Sequence, residues 1–136
     1  MAEKIEWNDS YLLGIPEIDA QHKKLLALAN DLYAITKADA SLYEQKMKPV
    51  LEELVKYTQY HFSAEEDFMT KHGYSGVDIH KVAHDSFVQE VSAQIAQLTS
   101  DNRESGLRFY QFVANWVLTH IARADKVWAS FVKPQL

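Results

Sequence analysis

Apolar side chains recur every three to four residues along most of the chain, which is the spacing of amphipathic helices. Four such stretches are separated by short segments with glycine or helix-capping residues. They are preceded by a segment without helical spacing, in which Gly14 and Pro16 follow the apolar Trp7 and Tyr11. The pattern predicts an extended N-terminal arm over about residues 1–18, and helices over about residues 19–37, 41–71, 76–98 and 102–131.

Residues with capping chemistry lie near the predicted helix ends. Ser41 and Glu44 have the spacing of a capping box, so we expect the second helix to start at Ser41. Ser75 with Asp78 is a candidate cap for the third helix, and Asp101 is one for the fourth. Four amphipathic helices joined by short turns favour an all-α fold, an antiparallel up-down-up-down four-helix bundle that uses the 136 residues as one domain.

Composition and charge narrow the function classes. The formal net charge of -5 and the lack of a Lys/Arg cluster argue against a nucleic-acid partner. The chain has no cysteine, so thiolate metal sites and disulfides are excluded. The first residues lack the apolar region of a signal peptide, and no apolar run reaches membrane-spanning length. We therefore expect a cytoplasmic protein without a membrane span, and we expect a monomer.

Histidine and carboxylate side chains lie on the predicted inner faces. His61 and Glu65 are four apart, as are His80 and His84, so each pair points the same way from its helix. In an antiparallel bundle, two residues lie at one height when they are equally far from the turn between them. With turns near residues 40, 74 and 101 and about 1.5 Å of rise per residue, the candidates on all four helices fall at about one level. These candidates are His22, His61, Glu65, His80, His84, His120 and Asp125.

Five imidazoles and two carboxylates at one level form a metal-ligand set. Seven ligands exceed what one ion accepts, whereas two ions bridged by both carboxylates accommodate them. Three histidines, two bridging oxygens and a solvent-derived bridge fill one octahedral ion, and two histidines with the same bridges leave the other ion one vacant position. The ligand set alone admits several first-row metals.

The spacing of His120 and Asp125 leaves two arrangements open. The two residues are five apart, which turns them about 140° from each other on a regular helix. Either they flank the core from the two edges of the helix face, or a π-type turn brings them closer together.

These motifs resemble those of the hemerythrin family, in particular the single-domain bacteriohemerythrins, in order and spacing over nearly the whole chain. The matching segments are Gly14-Ile15-Pro16-Glu17-Ile18-Asp19-Ala20-Gln21-His22, His61-x3-Glu65, His80-x3-His84 and His120-Ile121-x3-Asp125. The resemblance implies two non-haem iron ions with an oxo or hydroxo bridge. It implies that one iron is bound by His80, His84 and His120 and the other by His22 and His61, with Glu65 and Asp125 bridging both.

The resemblance also implies a function and a ligand pocket. O2 would bind reversibly at the five-coordinate iron, for oxygen transport, storage or delivery, with an oxygen-consuming enzyme as a candidate recipient and no catalysis by the chain itself. The residues that resemble the family's apolar O2 pocket are Leu25, Phe62, Trp116, Val117 and Ile121.

Three other functions are weaker interpretations. Diiron oxidases, peroxidases and iron-oxidising ferritin-like sites are rich in carboxylates and use Glu-x-x-His pairs, which this sequence lacks. A zinc hydrolase would need a glutamate where Lys81 stands between His80 and His84. O2 or nitric oxide sensor modules of the family are usually fused to signalling domains, and we expect none here.

Four polar residues near the candidates are assigned other roles. We expect His72 to be a helix-end histidine, because it lies about 16 Å along the axis from His61. Glu66 and Asp67 are predicted to face solvent. Asp19 is predicted to be an N-cap, with a hydrogen-bond acceptor behind the ligand His22 as the alternative.

Overall fold

The computed structural model of the chain describes residues 5–98 and 103–136. Within these ranges all regular secondary structure is helical. The α-helices are α1 (Pro16–Thr36), α2 (Ala40–Lys71), α3 (Val77–Gln97), α4 (Arg103–His120) and α5 (Lys126–Val132). A π-helical turn, Ile121–Asp125, joins α4 to α5, and short 3-10 turns occupy Asp9–Tyr11 and Lys133–Gln135. Backbone angles stay helical through the π turn, so α4, the turn and α5 form one rod. The all-α prediction is confirmed.

Helices α1, α2 and α3 and the continuous α4–α5 segment are four rods that pack around one apolar interior. Helix α1 lies against α2 and α4, and α2 lies against α3. Stacking of Phe87 on Trp116, with ring centroids 4.0 Å apart, joins α3 to α4 and closes the ring of four rods. Consecutive rods run in opposite directions because the connections between them are short, which agrees with the predicted up-down-up-down bundle.

Helix α1 begins at Pro16, three residues before the predicted start. Proline is favoured in the first turn of a helix, where its missing N–H has no partner to lose, so Pro16 starts the helix instead of ending the arm. Asp19 is therefore not an N-cap, and that prediction was wrong. Its buried carboxylate accepts the backbone N–H groups of Leu13 at 2.7 Å and Gly14 at 3.1 Å, and so ties the arm to the first turn of α1.

The predicted caps of α2 and α3 were also wrong. Asp39 is the N-cap of α2 and accepts the N–H of Leu42 at 2.9 Å, so Ser41 lies inside the first turn instead of capping it. Gly76 precedes α3 without a side-chain cap, so Ser75 does not serve that role. The candidate cap Asp101 and the predicted helix start at residue 102 lie outside the described residues.

The arm before α1 is held by side chains from two rods. The N–H of Ile5 donates to the Tyr110 hydroxyl at 2.7 Å, and the Asn30 amide donates to the Ile5 carbonyl at 3.0 Å. The Tyr110 hydroxyl in turn donates to Asn30 at 2.9 Å. Both backbone groups of Ile5 are thus satisfied by residues of α1 and α4.

Among the described residues, none of the helices has the length and apolar character needed to cross a membrane.

Candidate metal centre

The structure brings the seven predicted ligand residues together inside the bundle. They form two groups that share Glu65, and within each group the ligand atoms all lie within 4.8 Å of one another: Glu65, His80, His84, His120 and Asp125 in one, and His22, His61 and Glu65 in the other. The most exposed of these side chains, His120, shows 8% of its surface to solvent. Their role as metal ligands stays a prediction, but every rod contributes at least one of them.

Glu65 presents one carboxylate oxygen to each group of histidines. Its Oε2 lies 2.8 Å from Nε2 of His22 and 3.2 Å from Nε2 of His61. Its Oε1 lies 3.2 Å from Nε2 of His84 and 3.6 Å from Nε2 of His80. A carboxylate placed between two sets of nitrogens in this way has the geometry of a bridging ligand.

The two carboxylate oxygens of Asp125 also face different groups of histidines. Its Oδ2 lies 3.2 Å from Nε2 of His22, and its Oδ1 lies 3.0 Å from Nε2 of His80 and 3.3 Å from Nε2 of His120. The indole Nε1 of Trp128 donates to the same Oδ1 at 3.1 Å, which holds the carboxylate in this orientation. The chain thus has two candidate bridging carboxylates between a three-histidine and a two-histidine group.

The imidazole nitrogens of the larger group have the spacing of ligands on one ion. Nε2 of His120 lies 3.1 Å from Nε2 of His84 and 3.0 Å from Nε2 of His80. Two atoms bound side by side to an octahedral ion, each at about 2.1 Å, lie about 3.0 Å apart. The three rings therefore leave the room that a single first-row ion requires.

The π turn explains how His120 and Asp125 reach the same place. Residues five apart lie on one face of a π-helix, whereas on a regular helix they diverge by about 140°. The turn spans Ile121–Asp125, and it brings Asp125 Oδ1 within 3.3 Å of His120 Nε2. Of the two arrangements that the sequence left open, the π-type turn is the one present.

Hydrogen bonds on the outer side of two rings orient them. Nδ1 of His84 lies 2.8 Å from the Glu66 carboxylate, and Nδ1 of His61 lies 2.7 Å from the Gln21 amide oxygen. Because these oxygens only accept hydrogen bonds, each Nδ1 carries a proton, so the neutral form of each ring is the Nδ1–H tautomer with Nε2 facing the centre. That is the tautomer a metal ligand needs.

Sequence reasoning missed Gln21 and placed Glu66 wrongly in solvent. Glu66 is 20% exposed and bonded to His84, whereas Asp67 is exposed as predicted. The available signal was adjacency, since Gln21 and Glu66 each stand next to a candidate ligand in the sequence and so flank the same helix face. His72 is the C-terminal cap residue of α2, as predicted.

The two buried carboxylates raise the pKa values of histidines beside them. Burial alone lowers the pKa of His22, but hydrogen bonds to Asp125 and Glu65 and the charges of both carboxylates raise it to about 9. The pKa of His80 is raised to about 9 by the same balance of burial against these two carboxylates. In the absence of a metal, the centre therefore takes up protons.

The pKa values of the two carboxyl groups are lowered. Burial raises the pKa of Glu65, but the charge of His61 and hydrogen bonds from the surrounding histidines hold it well below its usual range. Burial and the neighbouring Glu65 charge raise the pKa of Asp125, and hydrogen bonds with the histidines outweigh them and lower it. Both groups thus favour the ionised form that ligates metals.

Incompletely satisfied buried oxygens indicate that a metal fits this site. Oε1 of Glu65 and Oδ2 of Asp125 are buried and have no hydrogen bond of good geometry among the described residues, although each lies 3.2 Å from a histidine nitrogen. Leaving buried acceptors unsatisfied is costly, and a cation between them and the imidazole nitrogens removes that cost. Imidazole nitrogen and carboxylate oxygen together suit first-row transition metals. The buried cluster is therefore suited to hold metal ions.

Two of the five predicted pocket residues form apolar walls beside the imidazoles, and the other three are buried. Phe62 stacks on His84 with centroids 3.8 Å apart, and Trp116 stacks on His120 with centroids 4.5 Å apart. The other three predicted residues are at most 3% exposed: Leu25, Val117 and Ile121. Their contact with O2 stays a prediction.

Comparisons with known proteins agree with this geometry. The family model for the hemerythrin HHE cation binding domain matches residues 13–132. A bacteriohemerythrin of Clostridium acetobutylicum is 34% identical over 122 residues, covering 88% of this chain and 95% of the relative. A hemerythrin-like protein of Naegleria gruberi is 35% identical over 119 residues, covering 88% of this chain and 86% of the relative. A crystal structure of wild-type hemerythrin superposes with a TM-score of 0.78 at 25% identity, covering 94% of this chain and 97% of that one.

Proposed function

This chain belongs to the hemerythrin family, and from that premise we propose that it binds O2 reversibly at two non-haem iron ions, for oxygen transport, storage or delivery. One observation carries the proposal: each candidate bridging carboxylate turns one oxygen to a three-histidine group and the other to a two-histidine group. With the smaller group offering one nitrogen fewer, an ion held there would keep a position for a small gas molecule.

Each side chain has a role in this proposal. His80, His84 and His120 would hold one ion, His22 and His61 the other, and both carboxylates would hold both. When bound, the two ferrous ions supply the pair of electrons that O2 takes on binding and gives back on release. The protein's own part is to place the nitrogens and oxygens before the ions arrive, which the hydrogen bonds to Gln21, Glu66 and Trp128 accomplish.

The apolar walls would favour release of the gas unchanged. Phe62 and Trp116 lie flat against His84 and His120, so apolar rings cover two imidazoles of the centre. Water and protons promote the irreversible oxidation of such a site, and excluding them favours carrying over chemistry.

The donor set also argues against a diiron oxidase or peroxidase. Ferritin-like sites of that kind draw most of their ligands from carboxylates, including Glu-x-x-His pairs. Here the ligand atoms come from five histidines and two carboxylates. We therefore propose a carrier and not an enzyme.

Cycling the protein between argon and air tests this function. We expect two iron ions per chain and a visible absorption band of the oxygenated form that appears in air and disappears under argon over repeated cycles. An oxidase would instead pass to the ferric form after one exposure. Loss of the band after the first cycle, or an iron content below two per chain, would contradict the proposal.

A further inference from the structure

Two histidines of the metal centre have outer hydrogen-bond partners of different charge. Nδ1–H of His84 donates to the carboxylate of Glu66 at 2.8 Å, whereas Nδ1–H of His61 donates to the neutral amide of Gln21 at 2.7 Å. An anionic acceptor draws the proton more strongly and leaves the opposite nitrogen a better donor toward a cation. The three-histidine group contains His84 and the two-histidine group contains His61, so the outer bonds distinguish the two halves of the centre.

The position of Glu66 lets its charge act on the ring. Its side chain is 20% exposed, and that of His84 is 1% exposed. Solvent therefore screens only part of the attraction between this carboxylate and a cation on the far side of the imidazole. Phe62 stacks on His84 with an interplanar angle of 1°, which restricts rotation of the imidazole between Glu66 and the centre.

The number of ligand atoms also favours tighter metal binding at the three-histidine group. The larger group offers three imidazole nitrogens and one oxygen from each carboxylate, and the smaller group offers two nitrogens and the other two oxygens. Ligand number and the charge of the outer partner thus act in the same direction.

We infer that the chain holds its two metal ions with unequal strength, so that the ion bound by His80, His84 and His120 enters first and leaves last. Glu66 and Gln21 are the positioning residues that set part of this difference. The inference rests on the metal centre of the proposed function and does not depend on O2 binding. It gives the chain a stable one-ion form, with the two-histidine position open for exchange.

A chelator titration of the iron-loaded, full-length ferrous protein under argon tests the inference. Native mass spectrometry counts chains with two, one and no ions at each chelator concentration. Two equal and independent sites give a one-ion fraction of at most about half, by mass action. We expect the one-ion form to exceed that fraction over a range of chelator concentrations. Loss of both ions in a single step would overturn the inference.

Two variants locate the strong and the weak position. Glu66→Gln keeps the size and an acceptor oxygen but removes the charge, so the last ion should leave at a chelator concentration about 10-fold lower, while the first ion leaves as before. Gln21→Glu gives His61 an anionic partner, so the first ion should need about 10-fold more chelator. The one-ion range then narrows in both variants.

Asp67→Asn is the matched control, because Asp67 is exposed beside Glu66 and its change removes the same charge from the same helix. It should leave both steps unchanged. General damage to the fold would weaken both ions together, so an equal effect of Glu66→Gln on the two steps would overturn the assignment. A chain that never takes up a second ion would contradict the proposed function as well, whereas stepwise iron loss without O2 cycling would contradict the carrier alone.

Discussion

Single residues determine which atoms face the centre of the bundle. Two rings have an outer hydrogen bond that fixes the tautomer: Glu66 and Gln21 hold the Nδ1 protons of His84 and His61, so that both Nε2 atoms face inward. The indole N–H of Trp128 fixes the orientation of the Asp125 carboxylate in a similar way. The placement of these ligand candidates therefore depends on the hydrogen-bond partners behind them.

Glu65→Ala should lower the iron content below two per chain. Glu65 is fully buried and turns an oxygen to each histidine group, so its removal takes one ligand from each ion at once. The measurement is iron per chain after purification. His72→Ala is the control, because this histidine lies at the end of α2, bonded to the Phe68 carbonyl, and should leave the iron content unchanged. The reverse result would refute the ligand assignment.

Metal affinity should rise with pH between about 6.5 and 9. Without a metal, His22 and His80 have pKa values of about 9, so at neutral pH both are protonated, and a metal ion must displace those protons to bind. Raising the pH removes the competing protons, and the gain ends once both pKa values are passed. Chelator competition at a series of pH values measures the slope. An affinity that stays constant over this range would contradict the prediction.

At the scale of helices and turns, local chemistry sets where each element begins and how it is continued. Pro16 starts α1 and Asp39 caps α2, whereas the π turn interrupts the regular period between α4 and α5. The turn ends in Asp125, and it therefore sets where this carboxylate lies. A rod of uniform α-helix would leave His120 and this carboxylate on different faces.

Asp39→Ala should destabilise the protein by about 1 kcal/mol, because α2 loses the side chain that caps Leu42 N–H. The free energy of unfolding from denaturant titration measures the effect. Ser41→Ala is the matched control, since the Ser41 hydroxyl only accepts an exposed bond from Gln45 at 3.3 Å, and a change of less than about 0.5 kcal/mol is expected. A larger effect from Ser41 than from Asp39 would restore the capping box that the structure contradicts.

At the scale of the whole molecule, the candidate metal centre draws its side chains from all four rods at one level. Each rod is otherwise held by apolar packing and by a few bonds such as the Tyr110–Asn30 bond between α4 and α1. The buried carboxylates of Glu65 and Asp125 gain their full set of partners only when a cation lies between the rods. Metal binding and bundle stability should therefore be coupled.

Removal of the metal should lower the stability of the whole bundle. Ligands that bind only the folded chain stabilise it by about 2.7 kcal/mol at 100 times their dissociation constant, and chelation removes this contribution. Calorimetry of the loaded and chelated protein should show the lower unfolding temperature after chelation, with helical circular dichroism as the check that the metal-free chain is folded. Equal unfolding temperatures would show that the centre contributes nothing to the fold.

Most of the fold was predictable from the sequence because its signals are local. Helical spacing predicted four rods, and equal chain distance from the turns predicted that His22, His61, His80 and His120 would lie at one level. Both are properties of distance along the chain. The start of α1 was misplaced because Pro16 fits both the end of an arm and the first turn of a helix, and only the surrounding packing distinguishes the two.

By itself the sequence determined the number of rods, the residues that meet and the family to which they belong, since helical period and residue spacing carry that information. Only the tertiary structure decided that a π turn delivers Asp125, that each carboxylate divides its oxygens between the two groups, and that Glu66 and Gln21 stand behind His84 and His61. These facts depend on side-chain rotamers and on distances of a few ångströms between rods. Such distances are set when the helices pack; adjacency in the sequence marks Gln21 and Glu66 as candidates but does not tell which ring each one bonds.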